Sequence, residues 1–220
     1  HEIRTPINAI LGMDEMILRD VRKDDLDIIS YAQDIESAGR TLLALINEIL
    51  DFSKIEEGKM EIVPVHYETS MLINDLVNMV KPRASQKGLD FETVVEGEVP
   101  RVLKGDDIRI KQCIMNILTN AIKYTEEGKV RFEVSFANVD EDHVMMNVVV
   151  RDTGIGMKKA DLENLFSPFT RIEENRNRAI EGTGLGMSIT KNLLALMGSE
   201  LFVESKYGEG SVFSFVIKQR

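Results

Sequence analysis

His143-Val-Met-Met-Asn-Val-Val-Val-Arg-Asp-Thr-Gly-Ile-Gly-Met157 changes character partway along. Up to Arg151 it is a run of apolar and β-branched residues, the composition of a strand buried in a sheet. At Asp152 the run stops, and Gly154 and Gly156 follow. A strand that ends in an acidic side chain and then in two glycines lets a flat ligand approach the main chain closely. Asp152 can accept a hydrogen bond there from an exocyclic amine such as that of adenine. This is not the dinucleotide fingerprint, because Met157-Lys158 stands where a third glycine is required. In isolation an ordinary turn explains the same residues.

Reading outward, residues 130–139 form a second strand, joined to 143–151 by the turn-like 140–142. Upstream, residues 60–67, 90–95 and 102–104 have strand character, and 71–85 and 106–124 have helical spacing. Downstream, 159–165 predicts a short helix and 184–197 a longer one. Residues 200–204 and 212–217 predict a hairpin around the turn 207–210. Helices interspersed with strands, closing on a hairpin, favour an α/β sandwich with a mixed sheet over a doubly wound parallel one.

The helix 106–124 carries two stripes. Ile110, Ile114, Ile117 and Ala121 make a buried face, while Arg109, Gln112, Asn116, Asn120 and Lys123 recur on a polar one. Asn116 and Asn120 are one turn apart and can aim two amide oxygens at one point. Such hard donors suit Mg²⁺, which keeps water and phosphate in its shell. Lys123 adds a point charge for phosphate. A merely solvated face is the competing explanation. Further on, Gly182-Thr-Gly-Leu-Gly186 leads into a helix, where freed backbone N–H groups can face anionic oxygens. No Lys-Ser/Thr follows, so it is not a P-loop. Between the two glycine clusters lie Phe166-Ser-Pro-Phe169 and the polar stretch 170–181, which read as a hinged loop over a site or as a plain surface loop.

Residues 1–56 read as two helices. Ile3, Ile7, Ile10, Asp14, Ile17 and Val21 follow steps of four and three, all apolar but Asp14. So do Ile28, Tyr31, Ile35, Ala38, Leu42, Leu45, Ile49 and Phe52 over more than three heptads. The charged run 22–27 supplies the turn, with Asp24 or Asp25 as cap. Leu11, Leu18, Ile46 and Leu50 widen the apolar stripe beyond what one hairpin can cover, which predicts a dimeric four-helix bundle. Residues 54–59 read as the linker, dividing the chain into 1–58 and 59–220. Met13 and Met16 are candidates for an exposed docking face on the first helix. His1 falls off the seam beside Glu2, with Thr5 one turn on and Pro6 after it. A neutral imidazole is a nucleophile near pH 7, and a carboxylate beside it can orient it or hold its proton. An ordinary exposed His–Glu pair is the alternative.

The formal charge of the 220 residues is −10, most of it in residues 1–58, so nucleic acid is a poor partner. The single Cys113 reads as a small buried apolar residue in a reducing compartment. No apolar run is long enough to span a membrane, and any membrane segment is expected outside these residues.

Together and in this order, the motifs resemble the H, N, G1, F and G2 boxes of the catalytic core of sensor histidine kinases. The ATP domain of that family is similar to those of gyrase, Hsp90 and MutL. The resemblance covers nearly the whole chain. It implies an α+β fold: a two-helix hairpin in a dimeric four-helix bundle, followed by an α/β sandwich ATP-binding domain. By resemblance His1 is the phosphoacceptor, and Glu2 is the acid/base beside it. Thr5 matches the position that helps water attack the phosphorylated regulator, so phosphatase activity is also expected. Asn120, with Asn116, resembles the Mg²⁺ site. Lys123 and Tyr124 look like nucleotide contacts, and Asp152 looks like the adenine partner in a pocket shaped by Gly154 and Gly156. Phe166 and Phe169 match the F box, and Arg171 resembles an Arg near the phosphates. Gly182, Thr183, Gly184, Leu185 and Gly186 match the end of the ATP lid. Gyrase-like relatives have a general-base Glu where this chain has Asn116, which implies suppressed hydrolysis. The implied activity is ATP-dependent autophosphorylation and transfer to an Asp of a response regulator receiver domain, in the cytoplasm. A gyrase-class ATPase and a non-catalytic dimer scaffold are the rivals.

Overall fold

The structure is a computed structural model that describes residues 4–20, 25–170 and 183–220. Helices α1 (Arg4–Asp20) and α2 (Asp25–Glu56) pack along each other as a hairpin. Of the turn predicted over 22–27, residues 22–24 with the Asp24 cap fall outside the described residues, whereas 25–27 already form the first turn of α2. Of the residues read as the linker, 54–56 form the end of α2. The helix continues to Glu56 and ends at Gly58, whose φ of 66° breaks it. Met13 and Met16 are half-buried rather than exposed, because α1 lies along α2.

The remainder is strand β1 (Val65–Glu68), helix α3 (Thr69–Gln86), strands β2 (Asp90–Glu96) and β3 (Val102–Gly105), and helix α4 (Asp107–Tyr124). Then come β4 (Lys129–Asn138), β5 (Val144–Asp152), α5 (Lys159–Asn164), α6 (Gly186–Leu196), β6 (Phe202–Lys206) and β7 (Gly210–Gln219). Five strands form one sheet in the order β2-β4-β5-β7-β6, with β2–β4 parallel and the other pairs antiparallel. The sheet is mixed, as the sequence predicts. β1 and β3 pair apart from it as an antiparallel ladder. The strand expected over 60–67 shrinks to Val65–Glu68. Pro64 has no N–H to give, and the Val63 N–H donates to Asp106 Oδ2 at 2.9 Å rather than to a ladder.

The helix α4 is the centre of the molecule. Ile110, Cys113, Ile114, Ile117, Leu118, Ala121 and Ile122 are buried at helical spacing, against the sheet and against α3 and α6. Asp106 caps its start, accepting from the Arg109 N–H at 3.0 Å. Its last carbonyls are met by Lys87, whose Nζ donates to Ile122 O and Lys123 O at 2.8 Å each. Both ends being fixed, the polar face of α4 is held in one orientation. Burial pushes the Cys113 thiol up to about 12, which fits an inert core residue.

Candidate nucleotide site

On that polar face a cleft of about 350 Å³ opens between α4, the turn after β5 and the start of α6. Asn116, Asn120, Lys123 and Tyr124 line it from α4. Asp152 and Gly156 line it from the β5 end, and Thr183, Gly184 and Gly186 from the α6 end. Residues drawn from distant stretches of sequence thus share one cavity.

Asp152 reaches the cleft because β5 ends there, in register opposite Ser211 of β7. The Gly154 N–H and the Ser211 N–H both donate to its Oδ1, at 2.9 and 3.2 Å. Two donors on one oxygen leave Oδ2 as the acceptor for a ligand. Burial raises the Asp152 pKa from its ordinary value, and the two N–H donors offset part of that rise. Gly156 has φ 61°, and a Cβ there would run into the Lys206 carbonyl, so this turn requires glycine.

The two asparagines are not equivalent. Asn116 Nδ2 donates to Thr190 Oγ1 of α6 at 2.7 Å. Asn120 Nδ2 donates to Asn116 Oδ1 at 3.5 Å, the outer limit of such a bond. Lys123 Nζ lies 5.3 Å from the Tyr124 ring centroid, a cation–π contact beside the cleft.

Other expected site residues lie elsewhere. Leu185 is fully buried in the core beneath the glycine turn, and Gly154 backs onto the Tyr124 carbonyl. Phe166 packs at the core edge with Lys191 Nζ 4.8 Å from its ring. Phe169 is 65% exposed, has a positive φ of 60°, and meets Phe52 of α2 edge-on at 5.8 Å. Thr5 is exposed in the first turn of α1 and does not line the cleft. His1, Glu2, Arg171 and Gly182 lie outside the described residues.

Two contributions escape the sequence. Glu48 of α2 lines the cleft, and its Oε2 accepts from the Thr183 hydroxyl at 2.5 Å. Ser211 meets Asp152 only through its backbone, which no side-chain motif can signal. Arg109 and Gln112 share the asparagines' stripe yet leave the cleft, both donating to Asp51 of α2, at 3.1 and 2.8 Å.

Residues 105–220 match the family described as histidine kinase-, DNA gyrase B- and HSP90-like ATPase, and residues 1–58 match the His kinase A phospho-acceptor domain. Hybrid signal transduction histidine kinase B of Dictyostelium discoideum is 39% identical over 217 residues, covering 99% of this chain and 11% of its own length. Sensor protein GacS of Pseudomonas syringae is 38% identical over 220 residues, covering 99% and 24%. Autoinducer 2 sensor kinase/phosphatase LuxQ of Vibrio vulnificus is 37% identical over 218 residues, covering 97% and 25%. The chain therefore spans a quarter or less of these relatives. Among solved structures, full-length ShkA in complex with AMPPNP superposes with a TM-score of 0.70 at 27% identity, covering 99% of this chain and 44% of that one. Histidine kinase AdeS of Acinetobacter baumannii shares the fold, with a TM-score of 0.65 at 21% identity, covering 99% and 96%. The chain belongs to the histidine kinase-, DNA gyrase B- and HSP90-like ATPase family, as the catalytic core of a sensor histidine kinase.

Proposed function

We propose that this chain binds Mg·ATP in the α4–β5–α6 cleft and transfers the γ-phosphoryl group to His1. From His1 the group passes to an aspartate of a response regulator receiver domain. The observation that carries the reading is one cleft lined by Asn120, Asp152 and the glycine turn that opens α6. Asp152 Oδ2 accepts from the adenine amine. Gly184 and Gly186 let phosphate oxygens approach the N-terminus of α6, where backbone N–H groups face them. Lys123 and Tyr124 flank the nucleotide. Thr183 lines the same cleft, and Gly182 and Arg171 from the adjoining stretch would serve as further nucleotide contacts.

The donors present fit Mg²⁺. Carboxamide oxygens are hard ligands, and few protein ligands are needed when phosphates and water fill the rest of the shell. Among the described residues no group of three His, Cys, Asp or Glu forms a ready metal cage. Asn120, with Asn116 beside it, would hold the ion, which supplies charge neutralisation between the phosphates. The protein's own task is positioning: it must bring the cleft of residues 59–220 to a ring nitrogen of His1 on 1–58. Glu2 orients that imidazole or takes its proton. Thr5 would place water for hydrolysis of the phosphorylated regulator, releasing inorganic phosphate.

Exposed Leu43, Ile46 and Leu50 on α2 support a homodimer through the hairpin. One solved relative, ThkA, is in complex with the response regulator TrrA, which supports the kind of partner inferred (24% identity, TM-score 0.61, covering 100% of this chain and 59% of that one). No helix among the described residues is long and apolar enough to cross a membrane. We infer a cytoplasmic site of action, where ATP and a receiver domain are both available.

Incubation with γ-labelled ATP tests the reading. The expected product is acid-labile, base-stable protein label that needs Mg²⁺ and disappears in His1→Gln. Free labelled phosphate with no labelled protein would show a hydrolase instead.

A further inference from the structure

Asn116 and Asn120 can serve a cation only with the right end of each carboxamide turned toward it, because one end is a donor and the other an acceptor. A side-chain amide in a cleft turns over unless something holds it. The holding group lies on α6. Thr190 is 1% exposed, one turn after Gly186, on the face of α6 that packs against α4. Its Oγ1 takes the Asn116 Nδ2 hydrogen bond at 2.7 Å. That commits the nitrogen of Asn116 to the core and turns its Oδ1 toward Asn120, whose Nδ2 lies 3.5 Å away. The nitrogen of Asn120 is directed at Asn116, so its oxygen is the end left for a ligand. Gly186 completes the arrangement, since a Cβ there would come within 2.6 Å of Asn116 Oδ1 and push the carboxamide aside.

We propose that Thr190 is a positioning residue for the metal–nucleotide complex, its buried hydroxyl anchoring the Asn116 carboxamide and, through it, Asn120. The proposal rests on the reading of Asn120 as the ion-bearing residue. Groups that orient metal ligands from behind typically change metal affinity about 10–100-fold when removed. A hydroxyl buried between two helices merely for packing would not discriminate between ligands with and without a metal.

Calorimetric titration of the 220-residue chain with a non-hydrolysable ATP analogue, in Mg²⁺ and in EDTA, separates these roles. Thr190→Val keeps the shape and removes the hydroxyl. It is expected to weaken Mg²⁺-dependent binding about tenfold while leaving metal-free affinity within about twofold, and Thr190→Ser is expected to restore the Mg²⁺ advantage. If Thr190→Val does not fold, the pair Thr190→Ser and Thr190→Ala carries the same comparison. Equal loss with and without metal, or no loss, overturns the role of Thr190 while the site reading stands. Failure of the wild-type chain to prefer Mg·nucleotide over free nucleotide overturns both.

Discussion

Asp152 is a carboxylate held where burial disfavours its charge, and that has a measurable cost. Its pKa is raised on folding, so between the ordinary value and the raised one the native state binds more protons than the unfolded chain. Stability therefore falls as pH rises through that window, and at pH 7 the charged group is a net burden on the empty protein. Asp152→Asn keeps an oxygen for the Gly154 and Ser211 N–H groups and loses the charge. It should unfold a few degrees higher than wild type at pH 7, with the gap closing near pH 4, and it should bind nucleotide about tenfold or more weakly. A lower unfolding temperature at pH 7 would refute the burden. The position of Asp152 is legible in sequence, because an apolar run stopping at an acid and two glycines marks a strand end. Its partner Ser211 is not, since a backbone N–H supplied through the β5–β7 register leaves no trace in side-chain pattern.

At the scale of the element, α4 shows what periodicity can and cannot tell. The spacing separates a buried face from a polar one correctly, and the cap at Asp106 is visible in the residue type. It does not say what meets each part of the polar face. Asn116 and Asn120 open on the cleft, whereas Arg109 and Gln112, a turn or two earlier, are taken by Asp51 of α2. Phe52 against Phe169 and Glu48 against Thr183 extend the same contact to both sides of the segment that precedes α6. Asp51 is the hub, accepting from a guanidinium and an amide in a half-buried setting. Asp51→Ala should weaken docking of α2 by about 1.5–3 kcal/mol, the range for a hydrogen bond to a charged group. Spin labels on the exposed Ala44 and Glu127 would report this as a broadened distance distribution. An unchanged distribution would mean that apolar contacts alone hold the helix in place.

For the whole molecule, a mixed sheet and the helical hairpin follow from sequence pattern, because burial imposes a period on each strand and helix, whereas the division into five strands and two does not. The detached β1–β3 ladder does not, since Pro64 and the Asp106–Val63 bond act together only once the chain has folded. Within one chain Leu43 stays 62% exposed, and Ile46 and Leu50 are exposed on the same helix. The double substitution Leu43→Glu and Leu50→Glu should give a monomer by sedimentation if a second hairpin covers them, and an unchanged species if it does not. The proposed function requires delivery of phosphate from the cleft to one imidazole among the three histidines, His1, His66 and His143. Site mapping by mass spectrometry, under conditions that preserve the phosphorus–nitrogen bond after incubation with Mg·ATP, reads that directly. Phosphate is expected on His1 alone, and on no histidine of Asn120→Ala. Phosphate on His66 or His143, or on His1 at full level in Asn120→Ala, would contradict that function.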